Sequence, residues 1–517
     1  MALQFILGAS GTGKTTYLYG HITRLAAEHP ETDYYFIVPE QFTLQTQKEL
    51  VQHNPAGGIF NIDVLSLARL AHKVFEELGR EQRKVLKDIG KSMVMKRVLS
   101  ECRDELVLFG ANAGQNGFVE EAKSLLSELF QYGIGEAELL EMIEENKEKE
   151  LLCKKLADIL LLLRKFRELL GEQYMTSEGI YDALAECIGE SRCMKNCVVV
   201  LEGFTGFTPS QYELLRKLLR LAKTVYLSVT IPKDAVFAPK KEHDLFAMSR
   251  NTVQRVTKLA EEVHCEVLEP VEAGAEDYRH SAGSTLHHLW GSLFRYPVKS
   301  NKKETDGELT VYAGADTKAE CRYAVTKILH LIQQKGYRYR DIAVIVSDIN
   351  QYGELMEQEL TNSGIPCFLD YKKNMSENTF AEYLKAVLRL AEAGLHTEGV
   401  LSYVKNALSG WEKEQVWSLE NYCLALGIKG YQFEKEWKRT YRTRTEVSLE
   451  ELNSLRKRLV SEVKPLIEVF QNPEATVEDR TRTLFYFLKD HGLELRLKQK
   501  EEEFLAKGDR LRAREYA

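Results

Sequence analysis

No stretch of this 517-residue sequence is long and apolar enough for a bilayer: runs such as Ile159-Leu160-Leu161-Leu162-Leu163 fall far short of the ~20 apolar residues of a membrane span. No export signal is visible either, because the N-terminus passes directly into Leu3-Gln4-Phe5-Ile6-Leu7 and a glycine, without a basic n-region, long apolar segment or small-residue cleavage site. A cytoplasmic protein with no membrane partner is expected. Metal-ligand spacing is also missing, since the closest of the nine cysteines, Cys187, Cys193 and Cys197, have neither C-x-x-C spacing nor histidines placed for zinc. They read as reduced, structural thiols. A net charge of −7 argues against a uniformly basic coat for nucleic acid but leaves a local basic channel open. There is no convincing internal repeat and no low-complexity tract.

What the chain does have is enough apolar material, 44% of its residues, for three or four packed units at ~100–200 residues each. Its opening alternates short apolar strands with helices: Leu3–Leu7, a helix from Gly13, Tyr34-Tyr35-Phe36-Ile37-Val38, a second helix after Pro39, then Ile62-Asp63-Val64. That alternation predicts a parallel α/β sheet. Ser66 is a plausible N-cap for a helix carrying Leu67, Leu70, Ala71, Val74, Phe75 and Leu78 along one apolar face.

From about Glu81 to Glu190 strand signals nearly vanish, which predicts a helical insertion over residues 81–190. Strands return at Cys197–Leu201 and Thr224–Val229, so residues 1–80 and 191–285 are expected to share one sheet across the insertion. Interrupted domains of this kind characterise helicase motors. Polar and basic stretches between Pro270 and Gly307, including Gly274-Ala275-Glu276 and Lys299-Ser300-Asn301-Lys302-Lys303, predict a linker, placed at 286–307. A second α/β unit is expected at 308–395, with strands at Leu309–Tyr312, Ile342–Val346 and Ile365–Leu369 and a helix around Ala319–Gln334. Residues 396–517 read as a further helical region that stops without a closing strand.

The sharpest local signal is Gly8-Ala9-Ser10-Gly11-Thr12-Gly13-Lys14-Thr15, which matches G-x-x-x-x-G-K-[ST] directly after a strand and at the start of a helix. Glycines let the backbone wrap phosphates, a helix N-terminus presents unpaired N–H groups, Lys14 adds positive charge and Thr15 can hold magnesium. A site for ATP or GTP follows. The base is less defined, because the strand begins at residue 3 and leaves no upstream segment to grip it.

P-loop motors carry an acidic residue at the end of a second strand to hold Mg²⁺, and superfamily 1 helicases follow it with a glutamate that activates water. Here the strand ends Val200-Leu201-Glu202-Gly203-Phe204. Glu202 suits the metal side, but Gly203 stands where the water-activating carboxylate belongs, so hydrolysis is expected to be slow or absent. Thr208-Pro209-Ser210-Gln211 combines a capping box with proline at the first helical position, making Gly203–Phe207 a tight loop. Phe204 and Phe207 either stack on DNA bases or cover the helix end.

Taken in order, Gly8–Thr15, Val38-Pro39-Glu40-Gln41-Phe42-Thr43, Val64–Ala71 and Gly203-Phe204-Thr205-Gly206-Phe207-Thr208-Pro209 resemble the AddB family of AddAB helicase–nucleases. Tyr337–Val346 and Gly364–Asp370 are similar to that family's second helicase-like domain. The resemblance implies a superfamily 1 helicase-like P-loop NTPase fold with two RecA-like domains and large helical insertions. It also implies ATP as the nucleotide, an AddA-type helicase–nuclease subunit as heterodimer partner, and double-strand break processing for recombinational repair. The family is associated with reading the Chi sequence in one DNA strand, both single strands and duplex ends being its substrates. Carried over by position, Gln41, Thr43, Leu67 and Arg69 would belong to the reading surface, together with His72, where relatives place a larger aromatic. Gln and Arg have the hydrogen-bonding forks for base edges or phosphates. Full-length members add a C-terminal nuclease domain with an iron–sulfur cluster, and none of these nine cysteines is assigned to it.

Lys435, Lys438, Arg439, Arg442 and Arg444 around Trp437 and Tyr441 would suit single-stranded nucleic acid, but Glu434, Glu436 and Glu446 interleave and favour a solvated helix face. Three functions are therefore weighed: a DNA-holding protein that binds ATP with little turnover, an active P-loop translocase or kinase, and a scaffold in which the loop is a relic.

Overall fold

Runs of β-branched and aromatic residues become strands that are buried on both faces. The computed structural model describes all residues except 56, 81–82, 172, 237–243, 275, 296, 298, 302–306, 370–374, 376–377, 441–446 and 517. Ala275, Lys302, Lys303, Asp370, Tyr441, Arg442, Arg444 and Glu446, named above, lie outside the described residues. The chain divides into two compact units, Met1–Val311 and Tyr312–Ala517.

The first unit holds strands β1 (Ala2–Gly8), β2 (Tyr34–Ile37), β3 (Ile62–Leu65), β4 (Lys84–Leu86), β5 (Tyr174–Thr176), β6 (Val198–Leu201), β7 (Thr224–Thr230), β8 (Glu266–Val267) and β9 (Val271–Glu272). Seven of them form one sheet in the order β3-β2-β6-β7-β1-β8, with β9 also on β1, and each pairing is parallel. Side chains alternate between faces along a strand. Leu3, Phe5 and Leu7 accordingly enter one core, and Ile6 enters the other with Tyr34, Phe36, Val198 and Val200. Parallel neighbours require crossovers. Helices α1 (Lys14–Glu28) and α2 (Thr43–His53) cover the second face, and α3 (Leu67–Glu77) packs on the first. Ser66 caps α3 by accepting from the Arg69 amide, as its position in the sequence predicts.

The insertion folds as α4 (Asp88–Glu101), α5 (Asn116–Gln131), α6 (Glu136–Glu145) and α7 (Glu150–Leu170) around a separate apolar core that includes Met95, Leu99, Leu126, Leu163 and Phe166. Buried Asp158 accepts from the amides of Val107, Leu108 and Phe109 at 2.9, 2.8 and 3.1 Å, satisfying three donors of a loop with one carboxylate. A two-stranded β4–β5 ladder closes the root of the insertion, where only helix was expected. Three-residue strands are too short to carry a periodic signal. Beside that ladder, buried Lys91 donates to both oxygens of Glu178 at 2.8 and 2.9 Å.

The chain then returns through α8 (Gly179–Cys187), β6, α9 (Pro209–Leu221), β7, α10 (Lys233–Val236) and α11 (Ala247–Glu262) to the β8 edge. The capping box at Thr208 and Gln211 forms as the sequence predicts. Within the stretch expected to be linker, Ser284 caps a helix, α12 (Thr285–Ser292).

The second unit is helical among its described residues. Helices α13 (Thr317–Lys335) and α14 (Ile349–Asn362) pack around Cys321, Val325, Ile328, Met356 and Leu360. Helices α15 (Thr379–Ala393), α16 (Thr397–Lys405), α17 (Lys413–Leu426), α18 (Leu449–Gln471), α19 (Val477–Asp490) and α20 (Leu493–Ala506) share a larger core. The segments expected as strands at 309–312, 342–346 and 365–369 join no ladder among the described residues. Ile345 is 94% and Phe368 90% exposed, so these sequences have strand character without the paired neighbour that makes a strand. Trp437 of the basic stretch is buried in the larger core, its indole N–H donating to the Gln432 carbonyl at 3.0 Å. No helix of the described residues is long and apolar enough to cross a membrane.

Candidate nucleotide site

Because every strand of the large sheet runs the same way, the loops that follow β1, β2, β3 and β6 meet at one edge, the carboxyl ends of the strands where ligands of α/β folds bind. Gly8–Thr15 is the first of these loops. Gly13 closes it in the left-handed region (φ 85°), a conformation a side chain disfavours, and serves as an N-cap with no side-chain capping bond. The first turn of α1 thus meets the loop without a side chain occupying its amides.

Lys14 is only 8% exposed and lies folded over its own loop, donating to the carbonyls of Gly8 at 3.0 Å and Ala9 at 2.9 Å. Burial lowers its pKa below the ordinary lysine value, Glu202 opposes that shift, and the Arg279 guanidinium adds to it. Thr12 braces the turn by donating to the Ala9 carbonyl at 3.0 Å. Thr15 and Glu202, 187 residues apart, come together: the Thr15 hydroxyl donates to Glu202 Oε1 at 2.6 Å. Glu202 Oε2 is buried and has no hydrogen-bond partner, and an unpaired carboxylate oxygen beside a threonine hydroxyl fits a Mg²⁺ whose other ligands are phosphate oxygens and water. No group of three or more His, Cys, Asp or Glu side chains able to hold a metal occurs among the described residues.

Gly203 follows with φ 80°, and a Cβ there would lie 3.5 Å from Pro39 Cδ, so the β6 loop nestles against the β2 loop through a residue with no side chain. Phe204 and Phe207 stack on each other with centroids 5.1 Å apart, and Phe207 meets Tyr212 edge-on at 5.7 Å. Both phenylalanines are partly buried against the sheet core, which is the helix-covering arrangement.

The residues expected on a DNA-reading surface divide by burial. Gln41, Arg69 and His72 are exposed, and Arg69 Nε pairs with Glu40 Oε1 at 3.0 Å across the β2 and β3 loops. Leu67 is 5% exposed and belongs to the sheet core, and Thr43 is buried with its hydroxyl donating to the Glu40 carbonyl at 3.0 Å. Neither of those two side chains is presented to a ligand, contrary to expectation: Leu67 opens the apolar stripe of α3, and Thr43 opens α2 facing inward.

A group of residues absent from the sequence-based expectation also reaches the loop. β9 lies beside the end of β1, the Ala273 amide donates to the Leu7 carbonyl at 3.0 Å, and the chain continues as a strap over the phosphate loop. The Tyr278 amide donates to the Gly11 carbonyl at 3.3 Å and the Trp290 indole to the Ser10 carbonyl at 2.6 Å. A Cβ on Gly11 would stand 3.1 Å from Asp277 Oδ1 and 3.3 Å from Arg279 Cδ, which places Arg279 at the loop. The Asp277 carboxylate accepts from His280 Nδ1 at 2.7 Å and from the Arg279 amide at 2.9 Å. The available signal was the cluster Asp277-Tyr278-Arg279-His280 of charged and aromatic residues inside a polar stretch.

The family model of the AddB N-terminal region matches residues 5–289. The AddB-type subunit of the ATP-dependent helicase/deoxyribonuclease of Lachnoclostridium phytofermentans is 40% identical over 100% of this chain and 46% of its own length. The protein of the same name from Desulforudis audaxviator is 35% identical over 83% of this chain and 37% of its own, and that from Alkaliphilus metalliredigens is 27% identical over 97% and 45%. The chain therefore spans about half the length, or less, of these curated relatives. With its phosphate loop, its parallel sheet and these relatives together, the chain belongs to the AddB family of ATP-dependent helicase/deoxyribonuclease subunits.

Proposed function

We propose that this chain is the ATP-binding, DNA-holding part of a helicase–nuclease subunit that processes double-strand breaks, with a motor site that grips nucleotide and hydrolyses it weakly. The observation that carries the reading is the Thr15–Glu202 pair at 2.6 Å, followed at once by Gly203. The metal-side residues are together, and the position after them has no carboxylate to activate water. Magnesium bound there would be held by Thr15 and Glu202 and would neutralise phosphate charge.

In this reading Lys14 exchanges its two loop carbonyls for phosphate oxygens, Arg279 adds a second cation at the loop, and exposed Tyr278 offers a ring for the base. Ser10, Gly11, Thr12 and Gly13 supply backbone amides, as in other phosphate loops. Exposed Gln41, Arg69 and His72, on the same sheet edge, are the residues through which a DNA strand would be held or read, including a Chi-type sequence. The family membership supports a heterodimer with an AddA-type subunit, and a second RecA-like fold around α13 and α14.

Titrating the protein with MgATP, then measuring phosphate release with and without single-stranded DNA, tests the reading. Saturable binding with little DNA-stimulated release is expected. Motor-rate turnover would support the translocase instead, and no binding at all the scaffold.

A further inference from the structure

The strap contacts described above do more than cover the phosphate loop, because they take hold of particular oxygens. A trans peptide is planar, with its carbonyl and the following N–H pointing to opposite sides. Whatever fixes the oxygen of one residue therefore aims the amide of the next. Trp290 Nε1 holds the Ser10 oxygen at 2.6 Å, and the Tyr278 amide holds the Gly11 oxygen at 3.3 Å. The Gly11 and Thr12 amides are consequently turned away from the strap. These two units lie in the stretch whose N–H groups a phosphate loop uses.

We propose that Trp290 is a positioning residue of the nucleotide site, a donor that pins the Ser10 peptide so that the cradle amides are aimed before phosphate arrives. The inference rests on the nucleotide-binding reading of the preceding section. Trp290 is suited to the task because its ring is itself held. It stacks on His287 with centroids 5.8 Å apart and planes 22° apart, and His287 Nδ1 lies 3.5 Å from the Asp277 carboxylate. That carboxylate is fully buried and in turn binds the amide of Arg279 and the ring of His280. A tryptophan on a capped helix, backed by a buried acid, is a stiff arm, and aiming dipoles in advance lowers the ordering cost of binding. Trp290 acts on phosphate through the loop, not by touching it.

Trp290→Phe removes the indole N–H and keeps an aromatic ring for His287. Affinities of the full chain for MgATP and for inorganic tripolyphosphate are compared, with the thermal midpoint of the nucleotide-free protein as control. Loss of about fivefold for both ligands, at an unchanged midpoint, is expected from one missing hydrogen bond. A wild-type affinity of the variant for tripolyphosphate overturns the proposal, and so does a loss confined to MgATP, which would mean that the ring stacks on the base. Should the variant not fold, hydrogen exchange of residues 284–292 in the wild-type chain decides: slowing on addition of tripolyphosphate supports the linkage, and no change contradicts it. Failure of the wild-type chain to bind MgATP would overturn the nucleotide site itself, a result separate from any in the variant.

Discussion

The hydroxyl of Thr15 donates a 2.6 Å hydrogen bond to Oε1 of Glu202, joining the end of the phosphate loop to the end of β6 across 187 residues of sequence. The partner oxygen, Oε2, is buried and unpaired. Glu202→Gln keeps the shape but removes the charge. Its expected effect is a loss of the magnesium dependence of ATP binding, with affinity in excess magnesium falling about tenfold, the scale of one charge-assisted contact. Titrations with and without magnesium check this, and an unchanged magnesium response would remove Glu202 from the site.

Lys14 titrates below the ordinary lysine value of 10.5, chiefly through burial. The sign follows from which state holds the proton. In the window between the lowered value and 10.5 the folded, nucleotide-free protein has released the proton that the unfolded chain keeps, so stability rises with pH there. Nucleotide affinity moves the opposite way, because phosphate needs the charged lysine. Calorimetric titration between about pH 8 and about pH 10 is expected to show weakening affinity and proton uptake on binding. A flat profile would show that Lys14 does not meet the phosphates.

Arg279 and Tyr278 occupy adjacent positions but are assigned different parts of the ligand. Arg279→Ala is expected to weaken MgATP and inorganic tripolyphosphate alike, by about tenfold or more. Tyr278→Ala, at a residue that is 69% exposed, is expected to weaken MgATP alone. Equal losses of both ligands in the tyrosine variant would place the base elsewhere.

Glu77, at the end of α3, accepts from the Arg192 amide at 2.7 Å, the Cys193 amide at 3.3 Å and the Ser191 hydroxyl. Burial alone would push its carboxyl up, but donation from the Cys193 thiol, the Ser191 hydroxyl and those amides outweighs it and holds the pKa at about 2, down from 4.5. A depressed carboxylate stabilises the fold above the unfolded value. That contribution is fully present above 4.5 and lost as pH falls from there towards about 2. Glu77→Gln should therefore lower the thermal midpoint near neutral pH and flatten its fall in acid. A variant that parallels wild type at every pH would contradict this.

The first sheet was legible because parallel strands covered on both faces appear in sequence as unbroken apolar runs. Strands β1, β2, β6 and β7 lie where those runs predict. The phosphate loop was legible because all its parts are contiguous, and Glu202 because it ends such a run. Trp290 was not, since its partner Ser10 is 280 residues away and the strand that delivers the strap, β9, has only two residues. Leu67 shows a different limit: the family position pointed outward to DNA, while the helical spacing of Leu67, Leu70, Ala71 and Val74 pointed inward, and packing followed the spacing. The runs at 342–346 and 365–369 have the composition of strands, yet pairing is a property of neighbours that composition does not report.

Simultaneous measurement of MgATP binding and phosphate release by the wild-type protein, beside a Lys14→Ala control and with single-stranded DNA present, addresses the central claim most directly. Saturable binding that the substitution abolishes, with release that DNA barely stimulates, is the predicted result. Brisk DNA-stimulated release, or binding that survives the loss of Lys14, would contradict an ATP-gripping site that lacks its water-activating acid.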